Sequence, residues 1–134
     1  MGKKVVHVEF PAQDVERGKR FWEGVGGWAL NDAGMQGIQY LMAQEGEQGF
    51  AVYSMEGQSG TTLYLGGDDI DADLAKVGEL GGEPGEKQPI PGIGWFAHCK
   101  DSEGNAFGLY QRDENAPAPE GMPGWRQSPS RSRS

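Results

Sequence analysis

The sequence predicts an α+β fold built from two βαβββ modules. Three observations carry this reading. The apolar pattern changes from two-residue alternation to helical spacing and back, in the same order, twice. Both helical stretches open on an aspartate and close on a glycine pair: Asp14 with Gly26 and Gly27, then Asp69 with Gly81 and Gly82. A shift of 55 residues superposes these signals and also sets Val15 on Ile70 and Val25 on Leu80. An internal repeat of this kind means that neither half buries its sheet face alone.

Each element follows in order. Residues 4–10 alternate, are rich in Val and aromatic side chains, and stop at Pro11, which reads as a strand. Asp14 caps a helix whose apolar stripe is Val15, Phe21, Trp22 and Val25. Strands are expected over 28–30, 37–43 and 49–55, separated by turns at Asn31 with Asp32, Glu45 with Gly46, and Glu56 with Gly57. In the second module, 61–65 reads as a strand, and Asp68 and Asp69 cap a helix through Ile70, Leu74, Val77 and Leu80. Strands at 83–87, 94–100 and 105–111 complete it. Module one thus covers about 4–56, module two about 61–112, and together they form one domain over 1–112. Residues 113–134 are rich in Pro, Gly and Ser, with Met122 and Trp125 their large apolar residues, and read as a tail without regular structure.

Composition bounds the function. The 134 residues include 23 Gly and 8 Pro, yet four Trp, four Tyr and five Phe supply enough apolar surface for a core. Twelve basic against twenty acidic residues give a net charge of −8. That balance argues against nucleic acid and anionic membranes as partners, since both need clustered Lys and Arg. No apolar run nears the roughly 20 residues of a membrane span. The basic start at Lys3 and Lys4 leads directly into the first strand, with no stretch of signal-peptide length. A single cysteine, Cys99, makes no internal disulfide, so a reducing cytoplasm is the expected compartment.

Several familiar chemistries find no support. No glycine-rich phosphate loop leads into a helix, because the glycines at 24, 26 and 27 follow one. No serine sits in a nucleophile elbow. His98 and Cys99 are neighbours on a strand and so point to opposite faces; Cys99 reads as a small core residue. The acidic run at Asp68, Asp69, Asp71 and Asp73 lacks the turn glycine and closing glutamate of a calcium loop and suits a helix N-terminus.

Three stretches together resemble a known family. They are His7 and Asp14 with Phe21-Trp22 and Val25-Gly26-Gly27-Trp28; Asp68-Asp69-Ile70-Asp71 with Leu80-Gly81-Gly82; and Asp101-Ser102-Glu103-Gly104-Asn105 before the last strand. In this order and spacing, over about residues 5–112, the chain resembles the vicinal oxygen chelate superfamily of glyoxalases, bleomycin-resistance proteins and extradiol dioxygenases. The resemblance implies a curled mixed sheet around a cup made by both modules, and a homodimer. It also implies one divalent metal in the cup, held by His, Glu or Gln from four strand positions. His7 matches the first position. The others fall on Thr62, on Gly108, and on Ala51 or Tyr53, which are not usual ligands. The expectation is therefore no metal cofactor. An alternative metal site from His7, Glu9 and His98 stays open, because Glu9 shares a strand face with His7.

Strand parity names the expected lining of that cup: His7, Glu9, Tyr53, Thr62, Tyr64, His98, Gly108 and Tyr110, with Tyr40, Ala106 and one of Trp95 or Phe96 beside them. Val6, Val8, Phe10, Leu63, Leu65, Phe107 and Leu109 are left for the core. Small residues where ligands would stand leave space, and aromatics wall it, as suits a small organic molecule. The expected function is sequestration or sensing of such a ligand. The alternative is a lyase, isomerase or dioxygenase, using a rearranged metal site or His7 and Glu9 as general base and orienting group.

Overall fold

A computed structural model describes residues 2–35, 37–54 and 60–117. The expected turn at Glu56 and Gly57, the strand end at Met55, and the tail from 118 onward, with Met122 and Trp125, lie outside the described residues. The chain divides into two compact units, one of residues 5–63 and one of residues 64 onward together with those up to Lys4.

In the first unit β1 (Lys4–Pro11) leads into α1 (Val15–Gly26), then β2 (Asn31–Asp32), β3 (Tyr40–Glu45) and β4 (Gln48–Tyr53). The strand order is β2-β3-β4-β1. The helical crossover makes β1 parallel to β4, with Glu9 opposite Ala51 and Pro11 opposite Tyr53. β3 and β4 form an antiparallel hairpin that sets Met42 opposite Ala51 and Tyr40 opposite Tyr53. Asp14 caps α1 by accepting from the Arg17 amide at 3.0 Å, and Gly27 closes it at φ 78°, where only glycine is unstrained. The helix buries Val15 against Leu30, Leu41, Ala43 and Val52, with Phe10, Trp22 and Trp28 packed around them.

The second unit, which β5 (Thr62–Gly67) enters at Tyr64, repeats the scheme with α2 (Ile70–Glu79), β6 (Gln88–Ile90), β7 (Gly94–Lys100) and β8 (Ala106–Arg112), in the order β5-β8-β7-β6. Tyr64 lies opposite Gly108, and Gly108 opposite His98. Asp69 caps α2 by accepting from the Ala72 amide at 3.1 Å, and Gln111 Oε1 accepts from the Ile70 amide at 2.8 Å. Ile70, Ala97, Cys99 and Leu109 form the core, with Leu65, Leu74, Val77, Trp95 and Phe107 around them. Between β7 and β8 the Asp101 carboxylate accepts from the Glu103 and Asn105 amides, at 2.8 Å each, and from the Asn105 side chain at 3.0 Å. These bonds hold its carboxyl below the usual carboxylate range, the Asn105 side chain contributing most.

Several local expectations are corrected. Residues 28–30 are not a strand; Leu30 is instead a core anchor, and the expected turn residues Asn31 and Asp32 form β2 against Leu41 and Met42. Residues 83–87 contribute only a bridge from Glu83 to Lys100, and the strand starts at Gln88. Phe21 and Val25 are exposed. Phe21 stands about 100° around the helix from Trp22, which turns it off the sheet. Leu80 is exposed because it is the C-cap and already leaves the helical stripe, and Leu63 is 41% exposed rather than core. Residues after 112 begin tied to the second unit: Asp113 accepts from the Trp95 indole at 3.0 Å, and the buried Ala116 accepts from the Gly92 amide.

Candidate functional site

In the first unit, alternation puts Phe10, Leu41 and Val52 under α1. The opposite parity gathers His7 and Glu9 of β1, Ala51 and Tyr53 of β4, and Tyr40 of β3. The Tyr40 hydroxyl joins the polar groups, donating to Glu9 Oε2 at 2.6 Å and lying 2.7 Å from His7 Nε2. His7 Nε2 is 3.7 Å from the same carboxylate oxygen, and both side chains are mostly sheltered, at 18% and 13% exposure. The imidazole reaches Tyr40 by lying over Gly49, where an added Cβ would come within 2.6 Å of Nδ1. Tyr40 and Tyr53 are buried, with ring centroids 5.9 Å apart. Burial raises the Tyr53 phenol above its ordinary value, and the Glu9 charge adds to the effect.

In the second unit the Tyr64 ring lies over Gly108, where a Cβ would collide with it, and its hydroxyl is 2.6 Å from His98 Nε2. Tyr64 is buried, whereas His98 is exposed. Phe96 stands edge-on to His98 at 5.3 Å. Trp95 turns the other way into the core, so Phe96 is the aromatic of β7 that shares the His98 face, and Cys99 is buried as expected. Thr62 is buried, and burial raises the Tyr110 phenol despite the opposing Arg112 charge. Ala106, expected in the lining, is exposed.

The structure thus brings together His7, Glu9 and Tyr53 in one unit, and Tyr64, His98 and Gly108 in the other. The residue that sequence reasoning undervalued is Tyr40, read only as a wall. Its hydroxyl is the hub of the first cluster, and the signal available was its cross-strand parity with Tyr53. Among the described residues, no group of three or more His, Cys, Asp or Glu is arranged to hold a metal ion. A shallow groove of about 410 Å³ lies beside α1, between Phe10, Pro11, Arg17, Phe21, Trp22 and Val52. It shares no residue with the His7 cluster.

Residues 6–110 match the family described as glyoxalase-like domain. The chain belongs to this family. Among solved structures it is similar to a hypothetical protein from Bacillus halodurans C-125, with 17% identity, 88% of this chain and 100% of that one covered, and a TM-score of 0.62. It is also similar to methylmalonyl-CoA epimerase from Mycobacterium tuberculosis, with 15% identity, 86% and 88% coverage, and a TM-score of 0.62. A third is a glyoxalase/bleomycin resistance protein/dioxygenase superfamily member from Vibrio splendidus 12B01, with 17% identity, 81% and 98% coverage, and a TM-score of 0.57. At these identities the likeness shows the fold, and it agrees with the α+β arrangement of two βαβββ units read from the sequence. No curated protein matches the chain. No helix among the described residues is long and apolar enough to cross a membrane.

Proposed function

We propose that this glyoxalase-like protein binds a small organic molecule, without a divalent metal, on the sheet face that carries His7, Glu9, Tyr40 and Tyr53. Thr62 at the start of β5, and Tyr64, His98, Gly108 and Tyr110 of the second unit, are proposed as further binding residues. One observation supports this most: His7 Nε2, the nitrogen at the family's first ligand position, is engaged by the Tyr40 hydroxyl at 2.7 Å. The other implied positions carry a hydroxyl or no donor at all, at Thr62, Gly108 and Ala51, or the Tyr53 phenol. That set does not fit a divalent ion, which needs several imidazoles or carboxylates. Two buried tyrosine rings around a few hydrogen-bonding groups instead suit an organic ligand.

The test is the metal content of the full chain and its melting temperature with zinc, nickel, manganese or iron(II). The expected result is no stoichiometric metal and no shift, followed by stabilisation in a screen of aromatic metabolites and antibiotics. A stoichiometric metal, or a several-degree rise that His7→Ala abolishes, overturns the reading.

A second reading is a metal-free isomerase or lyase. It is favoured by the continuous hydrogen-bonded path from His7 through Tyr40 to Glu9, which resembles a general base with its orienting groups. Exchange of solvent deuterium into a carbon-acid ligand, lost in Glu9→Gln, distinguishes it from simple binding. A homodimer and a cytoplasmic location belong to the same proposal; light scattering and fractionation check them.

A further inference from the structure

The hydroxyls of the four tyrosines fall into two pairs. The Tyr40 hydroxyl donates to Glu9 Oε2 and lies 2.7 Å from His7 Nε2, and the Tyr64 hydroxyl lies 2.6 Å from His98 Nε2. Tyr53 and Tyr110 stand at matching places, opposite Tyr40 and Phe96, and neither hydroxyl has a hydrogen-bond partner among the described residues. Tyr110 is half-buried. Tyr53 is only 4% exposed, so water does not readily supply the missing partner. A buried phenol usually finds one, since an unmade hydrogen bond leaves the desolvation of the donor uncompensated. Burial, more than the Glu9 charge, holds the Tyr53 phenol above its ordinary value, so it keeps its proton at neutral pH and stays a donor.

The surroundings of Tyr53 narrow what can pair with it. Its ring clusters with the buried Tyr40 and Ala51, and the partly buried Ile38 and Met42 pack against them. A charged group would lose its hydration against these apolar walls, and an alcohol would bring a second donor needing its own partner there. A ketone or ester oxygen accepts and brings no proton. We propose that the Tyr53 hydroxyl is the specificity-determining donor of the first-unit face, taking the carbonyl oxygen of an uncharged, largely apolar ketone or ester. This deepens the function proposed above and rests on its reading of the His7 face as a binding surface. It also separates the two tyrosines of that face by role. Tyr40 is committed to Glu9 and His7, whereas Tyr53 keeps its hydroxyl for the ligand.

Two measurements on the full chain test this, one of them without any ligand. Tyr53→Phe removes a hydroxyl that bonds no described residue, so the ligand-free melting temperature should stay the same or rise. A drop of several degrees, or failure to fold, overturns the proposal, because the hydroxyl would then already be bonded inside the protein. The second measurement follows amide chemical shifts of the 15N-labelled chain with acetophenone and with ethylbenzene, which keeps the apolar body and lacks the carbonyl. The expected result is a lower Kd for acetophenone than for ethylbenzene. In Tyr53→Phe the acetophenone Kd should rise about 2–10-fold, the worth of one hydrogen bond, with ethylbenzene unchanged. Equal affinity for the two probes in the native chain overturns the proposal. So does an acetophenone Kd that does not move in Tyr53→Phe, or no acetophenone binding up to its solubility limit. The wider binding function fails on a different result, that no compound of any class stabilises the chain.

Discussion

The two units build the same platform and fill it differently. Their ladders match row by row: Glu9, Ala51 and Met42 in the first occupy the places of Tyr64, Gly108 and His98 in the second. One row on, Pro11, Tyr53 and Tyr40 correspond to Gly66, Tyr110 and Phe96. The first unit therefore keeps a carboxylate and a tyrosine hydroxyl where the second has a phenol and a bare phenyl ring. Each still makes a short histidine–tyrosine bond, but the chemistry is inverted. In the first, the histidine comes from the opening strand and Glu9 completes the chain. In the second, the tyrosine comes from the opening strand, and its partner His98 is exposed. A repeated backbone fixes where side chains stand, and only the side chains decide what the place does.

The largest expected effects test whether the two helix anchors are equivalent. Leu30 and Ile70 are each 1% exposed, so Leu30→Ala and Ile70→Ala should each cost about 2–5 kcal/mol in urea titrations. A cost below about 1 kcal/mol for either would break the equivalence of the two cores. Gly108→Ala comes next. Its methyl would collide with the Tyr64 ring, and the expected loss is about 1–3 kcal/mol, with loss of the Tyr64–His98 bond. Ala51 already carries a methyl at the corresponding place, so Ala51→Gly should leave the His7–Tyr40 bond intact, with only a modest loss in thermal melts. Tyr40→Phe removes the hub hydroxyl and should cost about 1 kcal/mol, whereas Phe96→Tyr in the second unit should change little.

The smallest effects are electrostatic and peripheral. Glu23 of the first unit is held below the usual carboxylate range, chiefly by the Leu30 amide and then by Lys19. Asp113 of the second is lowered chiefly by the Trp95 indole. Lowered carboxyls stabilise the fold fully above their ordinary values, about 4, and lose that contribution as pH falls through the lower folded values. Acid melts should therefore show stability falling below about pH 4, with a shallower decline in Asp101→Asn and Asp113→Asn. An unchanged slope would show that these bonds do not persist in solution. Phe21→Ser, on an exposed helix face, should stay within about 0.5 kcal/mol of the native chain.

Much of this fold is legible in the amino-acid sequence. Asp14 and Asp69 cap their helices because an N-cap is a local hydrogen bond, satisfied within three residues. The parity of β1 and β8 is equally local: it separates His7 and Glu9 from Phe10, and Gly108 from Phe107 and Leu109. What fails depends on distance. The strand expected at 28–30 fails because Leu30 is drawn into the core around α1 while β3 recruits Asn31 and Asp32. Exposure of Phe21 depends on where the sheet supports α1, and that of Leu80 on where α2 ends, neither of which the apolar pattern encodes. The sequence by itself determined the repeated modules, their caps and the faces of their strands, since periodicity and capping act over a few residues. Only the tertiary structure decided that Tyr40, 31 residues from Glu9 and 33 from His7, would become the hub between them. That choice came from ladder register across β1, β4 and β3, a property of paired strands that no single strand carries.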